Sequence, residues 1–467
     1  MNFDSVIGLE VHAQLMTETK IFCGCRTVFG SGPNENTCPV CLGLPGALPV
    51  LNRRAVELAV RAAIALQCSI PPASIFARKN YFYPDLPKGY QISQFDRPLA
   101  ENGKLRIRTG KESRVVRIKR LHMEEDAGKL VHEGVESCTE ASYVDLNRSG
   151  VPLIEIVTEP DLESPAEAYA YLTELKAILQ YTDVSPANME EGNLRCDANI
   201  SLRPEGSSGL GTKVEIKNLN SFKNVQKALE YEISRQSRIL SGGSNIAQET
   251  RLFDADRGIT EAMRSKEEAH DYRYFPDPDL PPCEVSPGLY RTMEASLPEL
   301  PALKRERFQT EYGLALMEAQ VLSEDRGRAQ RFEEAARLSG NPKQAANWIL
   351  RAPEASVRPA DIAGLIDLVD RGAISSDQAK IVFTEMKDSG KSPAQIVSER
   401  GLTQVSGEEE LGRLVATVLD TEPELVSRYR QGETRLLGVL VGLVMKASSG
   451  KANPAVVNRL IKERLSH

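Results

Sequence analysis

VIGLEVHAQL, residues 6–15, alternates apolar and polar side chains over its second half. This period of two is typical of a β-strand with one buried face. Glu10 and His12 therefore point to one side of the strand. Leu9 and Val11 point to the other. Similar β-branched, alternating stretches, broken by Gly and Pro, recur over roughly the first 285 residues; they are KLRIRTG (104–110), RVVRIKRLHM (114–123), PLIEIV (152–157), LRCDANISL (194–202) and TKVEIKN (212–218).

Two helices interrupt these strands. Ser164 followed by Pro165 and Glu167 is a capping box with proline at the first helical position, and it opens AEAYAYLTELKAILQY. Ser221 opens a second helix, FKNVQKALEYEISRQSRIL, which ends at Gly242-Gly243. The N-terminal part of the chain is therefore predicted to be α+β.

The character of the sequence changes after a proline-rich stretch at residues 276–301. Strand patterns almost vanish there, and short amphipathic, Ala- and Leu-rich segments follow, with Ser-Gly and Asn-Pro stops between them. We predict an α+β fold in which an N-terminal mixed β-sheet domain (1–290) precedes two all-helical domains, a middle one (291–405) and a tail (406–467).

Composition limits the classes of protein that the chain can belong to. It has 467 residues, of which 41% are hydrophobic and 26% charged, and a net charge of -7. These values exclude a disordered, collagen-like or disulfide-stapled chain, and a basic nucleic-acid coat. The N-terminus lacks the pattern of a signal peptide, and no apolar run is long enough to cross a membrane. We expect a cytoplasmic protein without membrane or DNA contacts, in which any RNA contact is local.

Four of the eight cysteines form two closely spaced pairs, Cys23-x-Cys25 and Cys38-x-x-Cys41. Such paired knuckles, flanked by Gly and Pro, are typical of a four-thiolate structural zinc site without an open coordination position. The alternative is that these are reduced thiols that merely pack. The other four cysteines lack metal-ligand spacing and are predicted to be small buried hydrophobic residues; they are Cys68, Cys138, Cys196 and Cys283.

Polar and acidic side chains share the faces of several predicted strands. Glu155 interrupts an apolar strand, where a carboxylate is costly to bury unless it is paired, protonated or bound to a cation. Together with His12 these side chains suggest a cleft that binds Mg²⁺ and phosphates through oxygen ligands. The alternative for each residue is a solvated sheet face. The further members are Glu10, Glu124, Glu125, Asp126, Arg195, Asp197, Asn199, Glu215 and Lys217.

Two aromatic, proline-rich stretches, 79–98 and 271–282, have no helical or strand period and are predicted to be ordered loops that line a site. Lys79, Lys88 and Arg273 could balance phosphate charge. The loop tyrosines could form walls for adenine or for the terminal base of an RNA, or could equally clamp the loops to the core. They are Tyr81, Tyr83, Tyr90, Tyr272 and Tyr274.

The last stretch of the chain reverses the overall acidity. Arg459 and Lys462 are three residues apart and are predicted to share a helical face, with Lys451 at the preceding turn. These cations could contact phosphates, although a solvated helix face is an equal alternative. Residues 206–213 have the spacing of a phosphate-binding loop but the wrong order of Thr and Lys, so we predict a hairpin loop. The chain shows no serine or cysteine nucleophile motif.

Together these motifs closely resemble the GatB family, which supplies the B subunit of the bacterial and organellar aspartyl/glutamyl-tRNA amidotransferase. The helical end resembles the YqeY-like tail of that family, with less specific motifs. The stretches that carry the resemblance are GLEVH (8–12), RKNYFYPDLPKGYQISQ (78–94), LHMEEDAGK (121–129), VDLNRSGVPLIEI (144–156), MEEGNLRCDANIS (189–201), EIKNLNSF (215–222) and DYRYFPDPDLPP (271–282).

The resemblance implies a ligase component that uses ATP and Mg²⁺ to phosphorylate the side-chain carboxylate of Glu on tRNA(Gln) or Asp on tRNA(Asn). Ammonia then displaces the phosphate. An amidase subunit, GatA, would supply the ammonia, and a small subunit, GatC, would complete a heterotrimer. The missing nucleophile motif agrees with this division.

The resemblance also implies roles for individual residues. His12, Glu125 and Glu155 correspond to the Mg²⁺ site, with Glu10 and Glu124 adjoining it. The tail would meet the outer corner of the tRNA, and any zinc would be structural only. Lys79 and Lys88 fall where the polar ammonia route and the phosphate surroundings lie. The strand faces and loops described above add further candidates for binding the nucleotide and its phosphates, namely Arg195, Asp197, Asn199, Lys217 and Arg273.

The rival interpretation is a non-catalytic tRNA-binding scaffold. The clustered carboxylates argue against it, because an RNA-binding surface should not concentrate acids unless a metal intervenes.

Overall fold

The computed structural model describes residues 2–110, 112–131, 142–263, 272–352, 356–402, 408–448 and 452–465. The chain divides into two compact units, Met1–Pro301 and Ala302–His467. Helix and sheet are both abundant, and the predicted α+β class is confirmed. No helix in the described ranges is long and apolar enough to cross a membrane.

Among its described residues, the first unit is built on an eight-stranded mixed sheet with the order β13-β12-β11-β10-β1-β9-β6-β5, accompanied by three small sheets. The strands are β1 Phe3–Gln14, β2 Ala73–Ser74, β3 Ala77–Asn80, β4 Tyr90–Ser93, β5 Ala100–Thr109, β6 Glu112–Glu125, β7 Lys129–Val131, β8 Tyr143–Asp145, β9 Pro152–Thr158, β10 Leu194–Pro204, β11 Val214–Leu219, β12 Glu249–Asp254, β13 Ile259–Ala262, β14 Phe275–Pro276 and β15 Cys283–Glu284.

Strand β1 lies in the interior of this sheet and has the alternation that its sequence predicts. It pairs antiparallel with β10 on one side and with β9 on the other. Leu9, Val11 and Ala13 are buried in the main hydrophobic core. Glu10 and His12 are only partly buried on the opposite, polar face. The prediction that 206–213 is a hairpin loop is confirmed, because it joins the antiparallel strands β10 and β11.

Helices cover the apolar face of the sheet. The first unit contains α1 Arg53–Ala65, α2 Pro165–Tyr181, α3 Phe222–Ser241 and α4 Pro287–Ala295. Both predicted N-caps are confirmed: the Ser164 hydroxyl accepts from Glu167 N, and the Ser221 hydroxyl accepts from Asn224 N. The Glu167 carboxylate accepts from Glu163 N, one residue earlier than in the usual capping box. These caps fix where α2 and α3 begin over the core.

Strand β6 contains a β-bulge that decides which side chains reach the polar face. Its pairing with β9 shifts register between Ile118 and Arg120, so that Lys119 is an extra residue. Ile118 lies in the core before the bulge, whereas Leu121 and Met123 lie in the core after it. The side chains at 122 and 124 are thereby turned toward the polar face.

The second unit is helical, as predicted. Its helices are α5 Pro301–Thr310, α6 Leu316–Ser323, α7 Arg326–Ser339, α8 Pro342–Arg351, α9 Pro359–Asp370, α10 Ser376–Ser389, α11 Pro393–Arg400, α12 Glu408–Thr421, α13 Pro423–Arg430, α14 Leu436–Ala447 and α15 Pro454–Leu465. Gly340, Gly390 and Gly401 end three of them in the left-handed conformation that favours glycine.

The unit boundary lies at Pro301, whereas the sequence suggested a domain boundary near 290. Helix α4 packs against α1, which keeps residues 287–295 with the sheet. Helices α12, α14 and α15 share a cluster of buried residues between Leu411 and Leu465. The division of the helical part into 291–405 and 406–467 stays a prediction.

Candidate active site and metal centres

One histidine and two glutamates converge on the polar face of the sheet. His12 on β1 lies directly opposite Glu155 on β9, and Glu155 lies opposite His122 on β6. The His12 Nε2 atom is 3.3 Å from Glu124 Oε1 and 3.3 Å from Glu155 Oε2. Three adjacent strands thus align their side chains in one row, which local sequence pattern alone could not specify.

Burial and charge pairing both act on this cluster. Glu124 is 3% exposed and Glu155 is 8% exposed. Burial alone would lower the pKa of His12, but hydrogen bonds to Glu124 and Glu155 outweigh it and raise the pKa to about 10. Burial likewise opposes ionisation of Glu155, yet His122 and His12 hold its pKa well below the ordinary value. The Glu155 carboxylate is therefore kept charged although it is buried.

These three residues, His12, Glu124 and Glu155, each offer a ligand atom, and the atoms lie within 4.8 Å of one another. One imidazole nitrogen and two carboxylate oxygens suit a divalent cation that keeps further positions for water or phosphate oxygens. The donor set therefore fits a catalytic rather than a closed structural cation site.

Glu125 does not join this cluster. Neighbouring residues of a strand point to opposite faces, so Glu125 points away from Glu124. Its Oε1 atom accepts hydrogen bonds from Lys88 Nζ and, at 2.8 Å, from Ile92 N. The expected ligand set of His12, Glu125 and Glu155 thus differs from the observed grouping, in which Glu124 takes the third position.

The predicted polar residues of β10 and β11 extend the same face. Asn199 donates to Glu10 Oε1 at 3.1 Å, and Arg195 donates to Asp126 Oδ1 at 2.8 Å. Burial first, and then repulsion by Glu155 and Glu215, raise the pKa of Glu10.

Lys217 bridges the acids at the other end of this face. Its ammonium is 3.1 Å from Asp197 Oδ2 and 3.3 Å from Glu215 Oε1. Burial opposes the lysine charge, but these two carboxylates outweigh it and raise the pKa of Lys217. Charge is thus largely paired on β10 and β11, whereas the His12 cluster retains two carboxylates.

The two aromatic stretches contain short strands, so the prediction of loops without strand structure was wrong for part of each: β3 includes Lys79 and Asn80, β4 is Tyr90–Ser93 and β14 is Phe275–Pro276. Antiparallel pairing of β3 with β4 and with β14 brings the two stretches together near the cluster.

Lys79 Nζ lies 4.8 Å from the Tyr272 ring centroid and 5.9 Å from that of Tyr81. Burial would lower the pKa of Lys79, but Glu124 raises it, and so do more weakly the nearby tyrosines and Glu155. Lys79 therefore directs positive charge toward the carboxylates.

The remaining loop residues lie in three different settings. Tyr274 stacks on Phe95 with ring centroids 4.1 Å apart. Tyr90, the first residue of β4, packs under Arg78, whose guanidinium carbon lies 4.3 Å from the ring centroid. Tyr83 and Arg273 are exposed.

The four cysteines form a second candidate metal centre. Cys23, Cys25, Cys38 and Cys41 place their sulfur atoms within 4.8 Å of one another. The neighbouring Cys23 thiol lowers the pKa of Cys41 to about 4, although burial opposes this. A set of four thiols with one already favouring the thiolate fits a closed, tetrahedral metal site.

The cysteines without metal-ligand spacing are distributed as predicted. Cys68, Cys196 and Cys283 are buried, which confirms their interpretation as small core residues. Cys138 lies outside the described residues.

Three residues that the sequence did not single out take part in the site. His122 Nε2 is 3.3 Å from Glu155 Oε2, and its buried Nδ1 atom has no hydrogen-bond partner within the described ranges. Arg120, which lies on β6 as His122 does, places its Nη2 atom 3.9 Å from Glu155 Oε1. Gln14 donates to Asp126 at 3.1 Å. Strand parity with Glu124 could have indicated His122.

The basic residues of the tail are partly paired. Arg459 lies on α15, 3.7 Å from Glu463 one turn later, and Lys462 is exposed on the same helix. Lys451 falls outside the described part of the chain. The tail phosphate site stays a prediction.

The chain thus combines a mixed-sheet unit that carries a histidine–carboxylate cluster with a helical unit, an architecture in which one unit bears a candidate active site. A model of the GatB/GatE catalytic domain matches residues 5–291, and a GatB domain model matches residues 330–465. The chain belongs to the GatB family.

Curated relatives extend this similarity over the whole chain. The B subunit of the aspartyl/glutamyl-tRNA(Asn/Gln) amidotransferase of Persephonella marina is 54% identical, with 100% of each chain covered. The proteins of the same name from Thermodesulfovibrio yellowstonii and Geotalea daltonii are each 52% identical, with 99% and 100% of each chain covered, respectively.

Proposed function

We propose that this chain is the activating subunit of a tRNA-dependent amidotransferase, a ligase. It uses ATP to phosphorylate the side-chain carboxylate of Glu on tRNA(Gln) or Asp on tRNA(Asn), and ammonia then displaces phosphate to give the amide. The His12–Glu124–Glu155 cluster carries this proposal, and family membership supports it.

The chain's own residues supply positioning and charge. Mg²⁺ held by His12, Glu124 and Glu155 would neutralise the phosphate oxygens of ATP. Lys79, whose pKa is raised beside these carboxylates, would bind the transferring phosphoryl group. The tyrosines around it would exclude water and hold a base. No side chain needs to become covalently modified, which agrees with the absence of a nucleophile motif.

Two partners follow from this chemistry. An amidase subunit of the GatA type would release ammonia from glutamine, and a small GatC-type subunit would tie the two together in a heterotrimer. The buried Lys88–Glu125 ion pair lies on the opposite side of β6 from the cluster, which supports a polar route for ammonia there. Zinc at the four cysteines would be structural, and four closely placed free thiols suit the reducing cytoplasm.

A non-catalytic tRNA scaffold is the alternative. Such a protein would have no use for two buried carboxylates and a histidine whose ligand atoms converge within 4.8 Å of one another. The enzyme interpretation is therefore favoured.

The isolated chain should form Gln-tRNA(Gln) or Asn-tRNA(Asn) from the misacylated tRNA with ATP and ammonium, but not with glutamine. The measurement is acid-gel or chromatographic analysis of the aminoacyl group with each nitrogen donor. A reconstituted complex with the amidase partner is the positive control. Glutamine hydrolysis by the partner-free chain would contradict the division of labour. Failure to form product with either donor, even in the reconstituted complex, would contradict the enzyme interpretation.

Divalent-cation binding at His12 should release about one proton and weaken as pH falls. Without metal, the pKa of about 10 keeps His12 protonated at neutral pH, and that proton must leave before the nitrogen can bind a cation. The Mg²⁺ dissociation constant should therefore rise by up to roughly tenfold per unit between about pH 9 and pH 7. Calorimetry in buffers of different ionisation enthalpy measures the released proton.

The His12→Asn variant is the control, because it should bind metal more weakly and without proton release. The raised pKa of His12 also predicts how the stability of the metal-free protein depends on pH. Stability from charged His12 in the metal-free protein is fully present below its ordinary value of 6.5 and is lost as pH rises through about 10. Cation binding with no proton uptake or release would show that His12 is not a ligand.

If Lys451, Arg459 and Lys462 contact phosphates, the triple Ala variant should weaken binding of cognate and non-cognate tRNA alike. The slope of log affinity against log salt should flatten by up to about one unit per lost contact. Because Glu463 already neutralises part of the Arg459 charge, Arg459 is expected to contribute the smallest part of this change in slope. Filter binding at several salt concentrations is the measurement, and Mg²⁺ and ATP binding should not change. An unaltered slope would identify a merely solvated helix face.

A further inference from the structure

A fully buried lysine lies beside the four-cysteine centre. Lys20 is 0% exposed. Its ammonium donates to Asn36 O at 2.7 Å and to Leu146 O at 3.3 Å, and lies 3.6 Å from Cys41 Sγ. One cation thus contacts the cysteine loop on one side and, on the other, the segment that precedes β9.

The same two segments are joined by asparagine side chains. Asn36 N donates to Asn147 Oδ1 at 2.8 Å, and Asn147 Nδ2 donates to Gly32 O at 2.7 Å. Asn34 Nδ2 donates to Val144 O at 3.0 Å, and Asn34 Oδ1 accepts from Leu146 N at 2.8 Å. A loop whose sequence separation from its partner exceeds one hundred residues is therefore held by at least four polar bonds.

The segment that receives these bonds leads directly into the catalytic strand. Residues 146–151 form a turn in which Ser149 N donates to Leu146 O and Val151 N donates to Arg148 O. Ile21 N donates to Gly150 O at 2.9 Å, next to Lys20 in sequence. Strand β9 begins at Pro152 and carries Glu155 three residues later.

The charge at Lys20 gains a further role when the cysteines hold a metal. Four thiolates around one Zn²⁺ carry a net charge of about -2, which is costly to bury without a nearby cation or hydrogen-bond donor. Outer-shell donors of this kind typically change metal affinity about 10–100-fold. Lys20 supplies such a donor while its two carbonyl contacts fix the loop and the turn.

We propose that Lys20 is a positioning residue that couples the four-cysteine metal centre to the strand carrying Glu155. It stabilises the metal-bound thiolates and, through Leu146, holds the turn that sets the start of β9. The proposal rests on the proposed function for its catalytic consequence, but the coupling itself is a property of the fold and is measured without activity.

Amide hydrogen exchange tests the coupling. Removing the metal from the full chain with a chelator should speed exchange of residues 144–151 by about tenfold or more, while the remote 205–213 loop stays unchanged. Lys20→Met should release zinc to a chromogenic chelator at least about tenfold faster. In the assembled enzyme it should lower kcat without changing KM for misacylated tRNA. Lys104→Met, at an exposed position of β5, is the matched control.

Asn147→Ala keeps the test sharp if Lys20→Met fails to fold. Asn147 bonds the cysteine loop from the catalytic side through Asn36 and Gly32 rather than through a cysteine. Because coupling between two sites is reciprocal, this variant should speed zinc release several-fold, and Asn245→Ala in an exposed loop should not. The proposal is overturned if metal removal leaves exchange at 144–151 unaltered, or if Asn147→Ala releases zinc at the wild-type rate. If the coupling is confirmed but Lys20→Met keeps the wild-type kcat in the assembled enzyme, the proposed function of the Glu155 strand is contradicted instead.

Discussion

Glu155→Gln is expected to reduce ATP-dependent activation of the aminoacyl group by about two to three orders of magnitude while leaving tRNA binding nearly intact. The Glu155 carboxylate is held charged between His12 and His122. An amide of the same shape removes that charge, and with it both cation capture and part of the stabilisation of the phosphoryl-transfer transition state. Release of phosphate from ATP in the presence of misacylated tRNA is the measurement.

Glu261→Gln is a matched control for this variant, because Glu261 is an exposed residue of β13 paired with Arg257. It should keep wild-type rates and tRNA affinity. Near-normal phosphate release by Glu155→Gln would show that the cluster does not take part in the reaction. Loss of tRNA binding in the same variant would show instead that the strand had been disrupted.

The neighbouring glutamates should respond differently, which separates the observed grouping from the one expected by resemblance. Glu124→Gln should lose divalent-cation binding as Glu155→Gln does. Glu125→Gln should keep the cation but lose stability, because it leaves buried Lys88 without its counter-charge, at a cost of about 3–5 kcal/mol. Cation titrations together with thermal unfolding distinguish the two outcomes.

Loss of the cysteine metal is expected to have the second largest effect. The purified protein should carry about one zinc, and Cys38→Ser should lose it and unfold at a temperature lower by roughly 5–10 °C, since metal binding contributes folding free energy. The chemistry should decline only through the disturbed loop, because four thiolates leave no open coordination position.

Metal analysis of protein prepared without chelators, followed by thermal unfolding of the variant, checks this expectation. Cys68→Ser serves as the control, because Cys68 is buried away from the cluster and should keep the zinc. Freshly prepared wild-type protein without zinc would disprove the metal site, and so would a Cys38→Ser variant with unchanged zinc content and stability.

Features that depend on a local pattern were predictable from the sequence. The alternation of β1, the serine caps of α2 and α3, and the paired cysteines each depend on a few neighbouring residues, so their physical meaning is contained in a short segment. The aromatic stretches could be identified as lining a site. That Tyr274 stacks on Phe95 whereas Tyr83 is exposed depends on the tertiary structure of these stretches.

What the sequence could not supply depends on contacts between strands. The run of acids at 124–126 has no alternation of its own, so it does not show which carboxylate shares a face with His12. His122 could not be predicted as a site residue from its sequence neighbours, because Leu121 and Met123 belong to the core. Its contact with Glu155 depends on the pairing of β6 with β9. By contrast, Arg459 and Glu463 are four residues apart, so their pairing follows from the helical spacing that the sequence already predicts for the tail.

The extra residue Lys119 reverses which side chains of β6 point to each face of the sheet. Upstream of it, even-numbered residues such as Val116 and Ile118 enter the core, whereas downstream the odd-numbered Leu121 and Met123 do so. A point substitution at 119 does not change this alternation and should be well tolerated. A one-residue deletion there would turn His122 and Glu124 toward the hydrophobic core and Leu121 toward the polar face of the sheet. Position 119 is therefore nearly indifferent to the identity of its side chain but strict about chain length, a constraint that sequence comparison by substitution alone would overlook.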